Sequence, residues 1–163
     1  MGSSSSTLRH SGWVNEQLCG CGFEHHYRAF HISWNEHAMV GGAAEFGINT
    51  GRVLVGVATL GISTVFNGGI KAPLHDAVLV SFGCDGCGKT FCRTYEFGPG
   101  GKEDAWGRYE YYRDERDHRS VNVPIRVMNE IFGNMPGRGY SAVDYNCSHW
   151  AYEFFYKVCN ASD

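Results

Sequence analysis

The apolar positions of the chain form several short runs typical of strands, followed by two stretches with helical spacing. Residues 25–34 partly alternate between apolar and polar side chains, which predicts a strand. Residues 75–82 form a continuous apolar run, and residues 90–97 follow it after a glycine-rich turn, so these two runs predict a hairpin of core strands. Residues 106–113 predict a further strand.

Helical spacing occurs twice toward the end of the chain. Pro124 opens a stretch that reaches to about Phe132, and a proline is well tolerated in the first turn of a helix. In residues 148–158 the apolar side chains recur every three or four positions, which predicts a second helix. The whole pattern predicts an α+β fold with a single domain over residues 13–163 and a flexible, Ser-rich tail over residues 1–12.

Composition and charge exclude some classes of function. The chain has 163 residues and a net charge of −3, and its most basic stretch, residues 108–119, is interleaved with acidic residues. That stretch is predicted to be a solvated surface, so no nucleic-acid partner is expected. The most apolar stretch, residues 53–66, is shorter than the ~20 residues that a membrane span needs. A buried strand or core helix is predicted there, and a segment at the membrane interface is the alternative. Residues 1–20 lack the apolar segment of a secretory signal, so a reducing, cytoplasmic location is expected.

Cys147 precedes the last helical repeat and is the candidate nucleophile. A cysteine in the first turn of a helix faces unpaired backbone N–H groups, which stabilise a thiolate and can bind the oxyanion formed when it attacks a carbonyl. His75, at the head of a predicted core strand, is the candidate base. Asn146 is predicted to donate to the oxyanion or to support the loop, and Glu96 on the neighbouring strand is the candidate third polar group. His149 lies about 200° around the helix from the cysteine and is interpreted as a structural hydrogen-bonding residue.

The segment around Cys147 resembles a known signature. Its Asn-Cys-Ser-His-Trp sequence is similar to the Asn-Cys-x-His-aromatic motif of permuted papain-like cysteine hydrolases. The resemblance is to the PPPDE family of desumoylating and deubiquitinating isopeptidases, and more distantly to lecithin:retinol acyltransferase-like and NlpC-type enzymes. It covers about residues 73–158. Three features favour PPPDE. His75 opens a strand, residues 95–101 read Tyr-Glu-Phe-Gly-Pro-Gly-Gly, and residues 140–147 are similar to a Tyr-Asn-x-x-x-x-Asn-Cys stretch. In that stretch, Ser141-Ala142 departs from the Tyr-Asn pattern.

The resemblance implies a circularly permuted papain-like fold in which the histidine precedes the cysteine. The function it implies is a thiol hydrolase that cleaves a peptide or isopeptide bond, with ubiquitin-like conjugates as protein partners and no required cofactor. One alternative is a lipid acyl hydrolase or acyltransferase of the lecithin:retinol acyltransferase-like type. Those enzymes often carry a second histidine on the next strand, where this chain has Tyr95 and Glu96. Another alternative is a catalytically inactive binding module. A peptide-like substrate is favoured because the glycines of residues 98–101 would let its backbone approach closely.

The N-terminus fits a lipidation pattern. Met-Gly-Ser-Ser-Ser-Ser matches the requirement for N-myristoylation at Gly2, which would associate the chain with a membrane surface. A cloning leader begins in the same way, and both interpretations stay open at this point.

The cysteines carry a second pattern. Cys84 and Cys87, with Cys92 beyond them, have zinc-knuckle spacing, and Cys19 and Cys21 or a histidine would complete four ligands. A structural zinc is therefore an alternative to free thiols. Palmitoylation of Cys19 and Cys21 is a further alternative, because it would add the second anchor that a single myristoyl chain needs.

Overall fold

The computed structural model describes residues 12–22, 26–38, 74–141 and 143–162. The predicted lipidation site Gly2, most of the Ser-rich tail and the apolar stretch at 53–66 lie outside the described residues.

The described residues form an antiparallel sheet and two helices. The strands are β1 (Trp13–Asn15), β2 (Tyr27–Ala38), β3 (Leu74–Cys84), β4 (Thr90–Gly98), β5 (Gly101–Tyr109) and β6 (Asp114–Pro124), and the helices are α1 (Ile125–Asn134) and α2 (Cys147–Asn160). The strand order is β1-β5-β4-β3-β2-β6, and every neighbouring pair is antiparallel. The predicted α+β class with an antiparallel sheet and a last helix that begins at the cysteine is therefore confirmed.

The structure corrects the prediction for residues 106–113. The strand in this region begins earlier and ends earlier, as β5 (Gly101–Tyr109), because the Pro-Gly turn after β4 is a tight connection that leads directly into it. The solvated surface predicted for residues 108–119 contains most of β6, whose charged side chains hide the strand pattern. Pro124 is the N-cap of α1 and thus precedes its first turn.

The core lies between α2 and the sheet. Trp150 stacks on Phe97 of β4 with ring centroids 6.0 Å apart, and Phe154 packs on Tyr95 at 4.8 Å. All four side chains are fully buried, and burying a side chain of this size contributes on the order of 1.5–3 kcal/mol. This packing places the N-terminus of α2, and with it Cys147, near the start of β3, where His75 is the second residue, and the end of β4.

The loop before α2 is fixed by two contacts from the start of β5. Gly101 has a φ of +112°, and a Cβ atom there would lie 2.6 Å from the carbonyl oxygen of Gly137. Lys102 Nζ donates to the carbonyl oxygens of Phe132, Gly133 and Met135 at 2.6–2.8 Å, which satisfies the C-terminus of α1. The glycine that was expected to admit a substrate backbone therefore admits a backbone segment of this same chain.

No helix in the described part of the chain is long and apolar enough to cross a bilayer.

Candidate active site

The N-terminus of α2 holds Cys147 in a defined cap. Asn146 is the N-cap, and its side-chain oxygen accepts hydrogen bonds from the backbone N–H groups of Ser148 at 3.0 Å and His149 at 3.2 Å. In return, the Asn146 N–H donates to His149 Nδ1 at 3.4 Å, which completes a capping box. The hydrogen-bonding role predicted for His149 is confirmed. Of the two roles predicted for Asn146, its side-chain oxygen performs loop support.

The structure brings the predicted base and the predicted third polar group together with Cys147. Ala77 of β3 lies opposite Glu96 of β4, so His75, two residues before Ala77, is a diagonal neighbour of Glu96 on one face of the sheet. His75 Nε2 lies 3.1 Å from Glu96 Oε2, and Cys147 is close enough to His75 to interact with its imidazole. All three side chains are buried. The three residues thus form a connected line from thiol to imidazole to carboxylate.

The charge state of His75 follows from this line. Burial by itself would lower the pKa of His75, but hydrogen bonds and charge interactions with Cys147 and Glu96 outweigh it and raise the pKa to about 10. The site therefore favours the protonated imidazolium form of His75.

Two residues that the sequence did not suggest complete the surroundings of Glu96. The Tyr109 hydroxyl donates to both carboxylate oxygens, at 3.1 and 2.9 Å. The ring of His37 stacks on Tyr109 at 3.9 Å, and His37 lies directly opposite His75 across β2 and β3. These partners hold the carboxylate in one orientation beneath the imidazole.

The same group of side chains has the composition of a metal site. The ligand atoms of His37, His75 and Glu96 lie within 4.8 Å of one another. The carboxylate, however, already accepts hydrogen bonds from Tyr109 and His75, and a cation would have to displace both. We therefore interpret these residues as a hydrogen-bond network that orients His75.

Tyr140 is the third residue missed by sequence reasoning. Its hydroxyl is buried and has no nitrogen or oxygen partner among the described residues. Burial raises the pKa of Tyr140, and the nearby Cys147 raises it further, so the hydroxyl stays protonated. A neutral donor at this position can serve any negative charge that develops there. The residue was visible in the sequence only as part of the motif that precedes the cysteine.

A cleft of about 250 Å³ opens beside Cys147. Arg116 of β6 forms ion pairs with the carboxylates of Glu36 and Asp76, the latter at 3.9 Å, and these two carboxylates are buried. Apart from Asn146 and Cys147, the cleft is lined by Glu36, Leu74, Asp76, Arg116, Ser148 and His149. The wall beside the candidate nucleophile is therefore strongly polar, with one aliphatic residue.

The predicted zinc ligands are only partly brought together. The sulfur atoms of Cys84 and Cys87 lie in one cluster with those of Cys19 and Cys21, but Cys92 is not a member. Cys92 lies on β4 opposite Ser81, three rungs along the hairpin from Cys84, and each rung is ~3.3 Å. Its sulfur contacts the Ser81 hydroxyl at 3.8 Å instead.

Comparison with family models, with characterised proteins and with solved structures finds no match for this chain. The resemblance to permuted papain-like hydrolases therefore stays a hypothesis that depends on the residues themselves.

Proposed function

We propose that this chain is a thiol hydrolase with Cys147 as nucleophile, His75 as base and Glu96 as the residue that orients His75. The proposal depends on one observation above all: buried His75 hydrogen bonds with buried Glu96 at 3.1 Å and lies close enough to buried Cys147 to interact with it. The strand that carries the histidine precedes the helix that carries the cysteine. This order is consistent with a circularly permuted papain-like arrangement of the PPPDE type.

The proposed reaction follows the usual course of covalent thiol catalysis. The Cys147 thiolate attacks the substrate carbonyl carbon and forms a sulfur–carbon bond, while the oxygen takes up the negative charge. His75 gives its proton to the leaving amine as the carbon–nitrogen bond breaks, which leaves an acyl-enzyme. Water then attacks the acyl carbon, His75 takes a proton from that water, and the sulfur–carbon bond breaks to release the acid and the thiolate.

Two donors are available for the oxyanion in this proposal. The Asn146 side chain occupies the N–H groups of Ser148 and His149, so the N–H of Cys147 is the helix donor nearest the sulfur that the cap does not use. The Tyr140 hydroxyl supplies the second donor, because it lies beside Cys147 and stays protonated. Asn146 then acts on the reaction through the cap that positions Cys147.

The lining of the cleft favours a peptide or isopeptide substrate. A site for an acyl chain is expected to be concave and mostly apolar, whereas the wall beside Cys147 carries Glu36, Asp76 and Arg116. The proposed partners are therefore protein substrates such as ubiquitin-like conjugates, cleaved without a cofactor in the cytoplasm. We also propose that N-myristoylation of Gly2 associates the chain with a membrane surface. Intact mass after expression with an N-myristoyltransferase tests for this modification separately.

The test compares two substrates and one matched variant. We expect turnover of a ubiquitin-like C-terminal amide, little turnover of a palmitoyl thioester, and none of either by Cys147→Ala. Cys159→Ala, at the other end of the same helix, should keep full activity, and limiting iodoacetamide should label Cys147 before Cys159. Turnover of the thioester alone would move the chain to the acyltransferase-like class. An unreactive Cys147 would favour the alternative that the chain is a catalytically inactive binding module.

A further inference from the structure

We propose that Cys19, Cys21, Cys84 and Cys87 bind a single Zn²⁺ ion as a closed structural site. Their four sulfur atoms all lie within 4.8 Å of one another. A tetrahedral Zn²⁺ with Zn–S distances of ~2.3 Å holds its four sulfurs about 3.8 Å apart, so small movements of these side chains would complete the site. None of the four residues belongs to the proposed catalytic machinery.

The fold delivers the four thiols from two segments that are far apart in the chain. Cys19 and Cys21 lie in the segment between β1 and β2, Cys84 is the last residue of β3, and Cys87 lies in the turn that leads to β4. The turn is closed by hydrogen bonds from the Cys84 N–H to the Lys89 carbonyl at 2.9 Å and from the Gly88 N–H to the Cys84 carbonyl at 2.8 Å. These bonds fix the backbone between Cys84 and Cys87, whose sulfurs lie in one cluster, as in a zinc knuckle.

The surroundings of the cluster are suited to thiolates. The Tyr27 hydroxyl lies 3.6 Å from the sulfur of Cys19 and can donate to it, as the groups around a metal ligand commonly do. The backbone N–H of Asp85 donates to the carbonyl of His26 at 2.9 Å, which ties the start of β2 to the turn. The start of β2 and the turn are thus held together by a backbone contact that does not involve the sulfurs.

The chemistry of the donor set favours zinc. Four thiolates in a tetrahedron select Zn²⁺ or iron, and four protein ligands leave no open coordination position, which is the mark of a structural site. The four-iron clusters hold their cysteines further apart than this cluster does, so a single ion fits better. All four cysteines are free thiols, whereas two disulfides would draw the sulfurs into separate pairs about 2 Å apart.

The site stands apart from the proposed active site. Cys84 is the last residue of β3 and His75 is its second, and the nine residue steps between these positions span about 30 Å. A zinc ion bound by these four cysteines would join the segment between β1 and β2 to the β3–β4 hairpin. It would not contact Cys147 or His75. The inference therefore holds whether or not the chain is a hydrolase.

The test measures metal in the full chain purified under reducing conditions from zinc-supplemented cells. Elemental analysis should give about one zinc per chain, and Cys87→Ser, at an exposed position, should lower zinc affinity at least tenfold. Cys92→Ser and Cys147→Ser are matched controls that should keep their zinc. After the zinc has been removed, titration of the wild-type chain with Co²⁺ should develop the visible bands of a tetrahedral cobalt thiolate site and saturate at one equivalent, a result that does not depend on the folding of any variant.

Several results would overturn the assignment. Absence of stoichiometric zinc together with no cobalt bands, bound iron in place of zinc, or unchanged zinc affinity in Cys87→Ser would each do so. Disulfides or palmitoyl groups on these four cysteines, found by mass spectrometry of the purified chain, would also do so. Loss of zinc from Cys92→Ser would show that the ligand set is wrong.

Discussion

His75 and Glu96 lie diagonally across β3 and β4, with the imidazole Nε2 3.1 Å from the carboxylate oxygen and both side chains buried. In the proposed mechanism the carboxylate fixes the ring and stabilises its protonated form. Glu96→Gln keeps the shape of the side chain and removes the charge. We expect kcat/KM to fall about 100-fold, with the basic limb of its pH profile moved to lower pH because His75 releases its proton more easily.

The control for that variant is Glu130→Gln, at an exposed position on α1. It should leave both the rate and the pH profile unchanged. Thermal unfolding of both variants separates positioning from folding. A Glu96→Gln protein that is fully folded and has the wild-type pH profile would contradict the role given to Glu96.

Tyr140 is predicted to act on the transition state. Removing one oxyanion donor commonly costs 10²–10³ in kcat, so Tyr140→Phe should lower kcat by about 100-fold with little change in KM. Tyr145→Phe is the matched control, because the Tyr145 hydroxyl donates to Glu153 at 2.7 Å and not to the site. Steady-state kinetics on the amide substrate give both constants. Equal losses in the two variants would indicate a general effect of the loop.

The raised pKa of His75 makes its contribution to stability depend on pH. Its pKa is raised from 6.5 to about 10 in the folded chain, so the folded state retains a proton that the unfolded chain releases. The contribution is therefore fully present below about pH 6.5 and is lost as the pH rises through about 10. We expect the difference in unfolding free energy between wild type and His75→Gln to be largest near pH 6 and to shrink toward pH 10. Urea unfolding over this range measures it, and a difference that grows with pH would contradict the charge state assigned to His75.

Gly101 is predicted to be essential to the loop before Cys147. An alanine there would need a φ of +112° and would place its Cβ 2.6 Å from the Gly137 carbonyl oxygen, so Gly101→Ala should destabilise the fold by about 2–4 kcal/mol. Gly133→Ala in α1 is the control, since nothing lies within 4 Å of its added Cβ and an alanine favours a helix by up to ~1 kcal/mol. Chemical denaturation of both variants should show opposite signs. A neutral Gly101→Ala would mean that the loop moves freely.

The sequence predicts those parts of the site that depend on local patterns. The helical repeat after position 147 locates the nucleophile, and the proline before His75 locates the head of β3. Glu96 could be proposed but not placed, because one residue of register shift would turn it to the other face.

Tyr109 and His37 could not be predicted from the sequence, because their positions in the site depend on the pairing of strands that are far apart in the chain. Tyr109 reaches Glu96 only because β5 leaves β4 after Trp106 and pairs with β1 from Gly107 onward, where φ is +150°. His37 reaches the site through its pairing with His75 across β2 and β3. Neither contact has a signature in the spacing of the sequence.

The two outer strands of the described sheet differ in how they discourage self-association. β1 has three residues, which offers an incoming strand very little backbone to pair with. β6 has eleven, and residues 114–119 read Asp-Glu-Arg-Asp-His-Arg and are mostly exposed. Charges of both signs on an outer strand of the described sheet oppose the pairing of a second copy in register, because like charges would meet across the new pair. The charge-rich stretch that conceals a strand in the sequence would therefore help to keep the folded chain from polymerising through its edge.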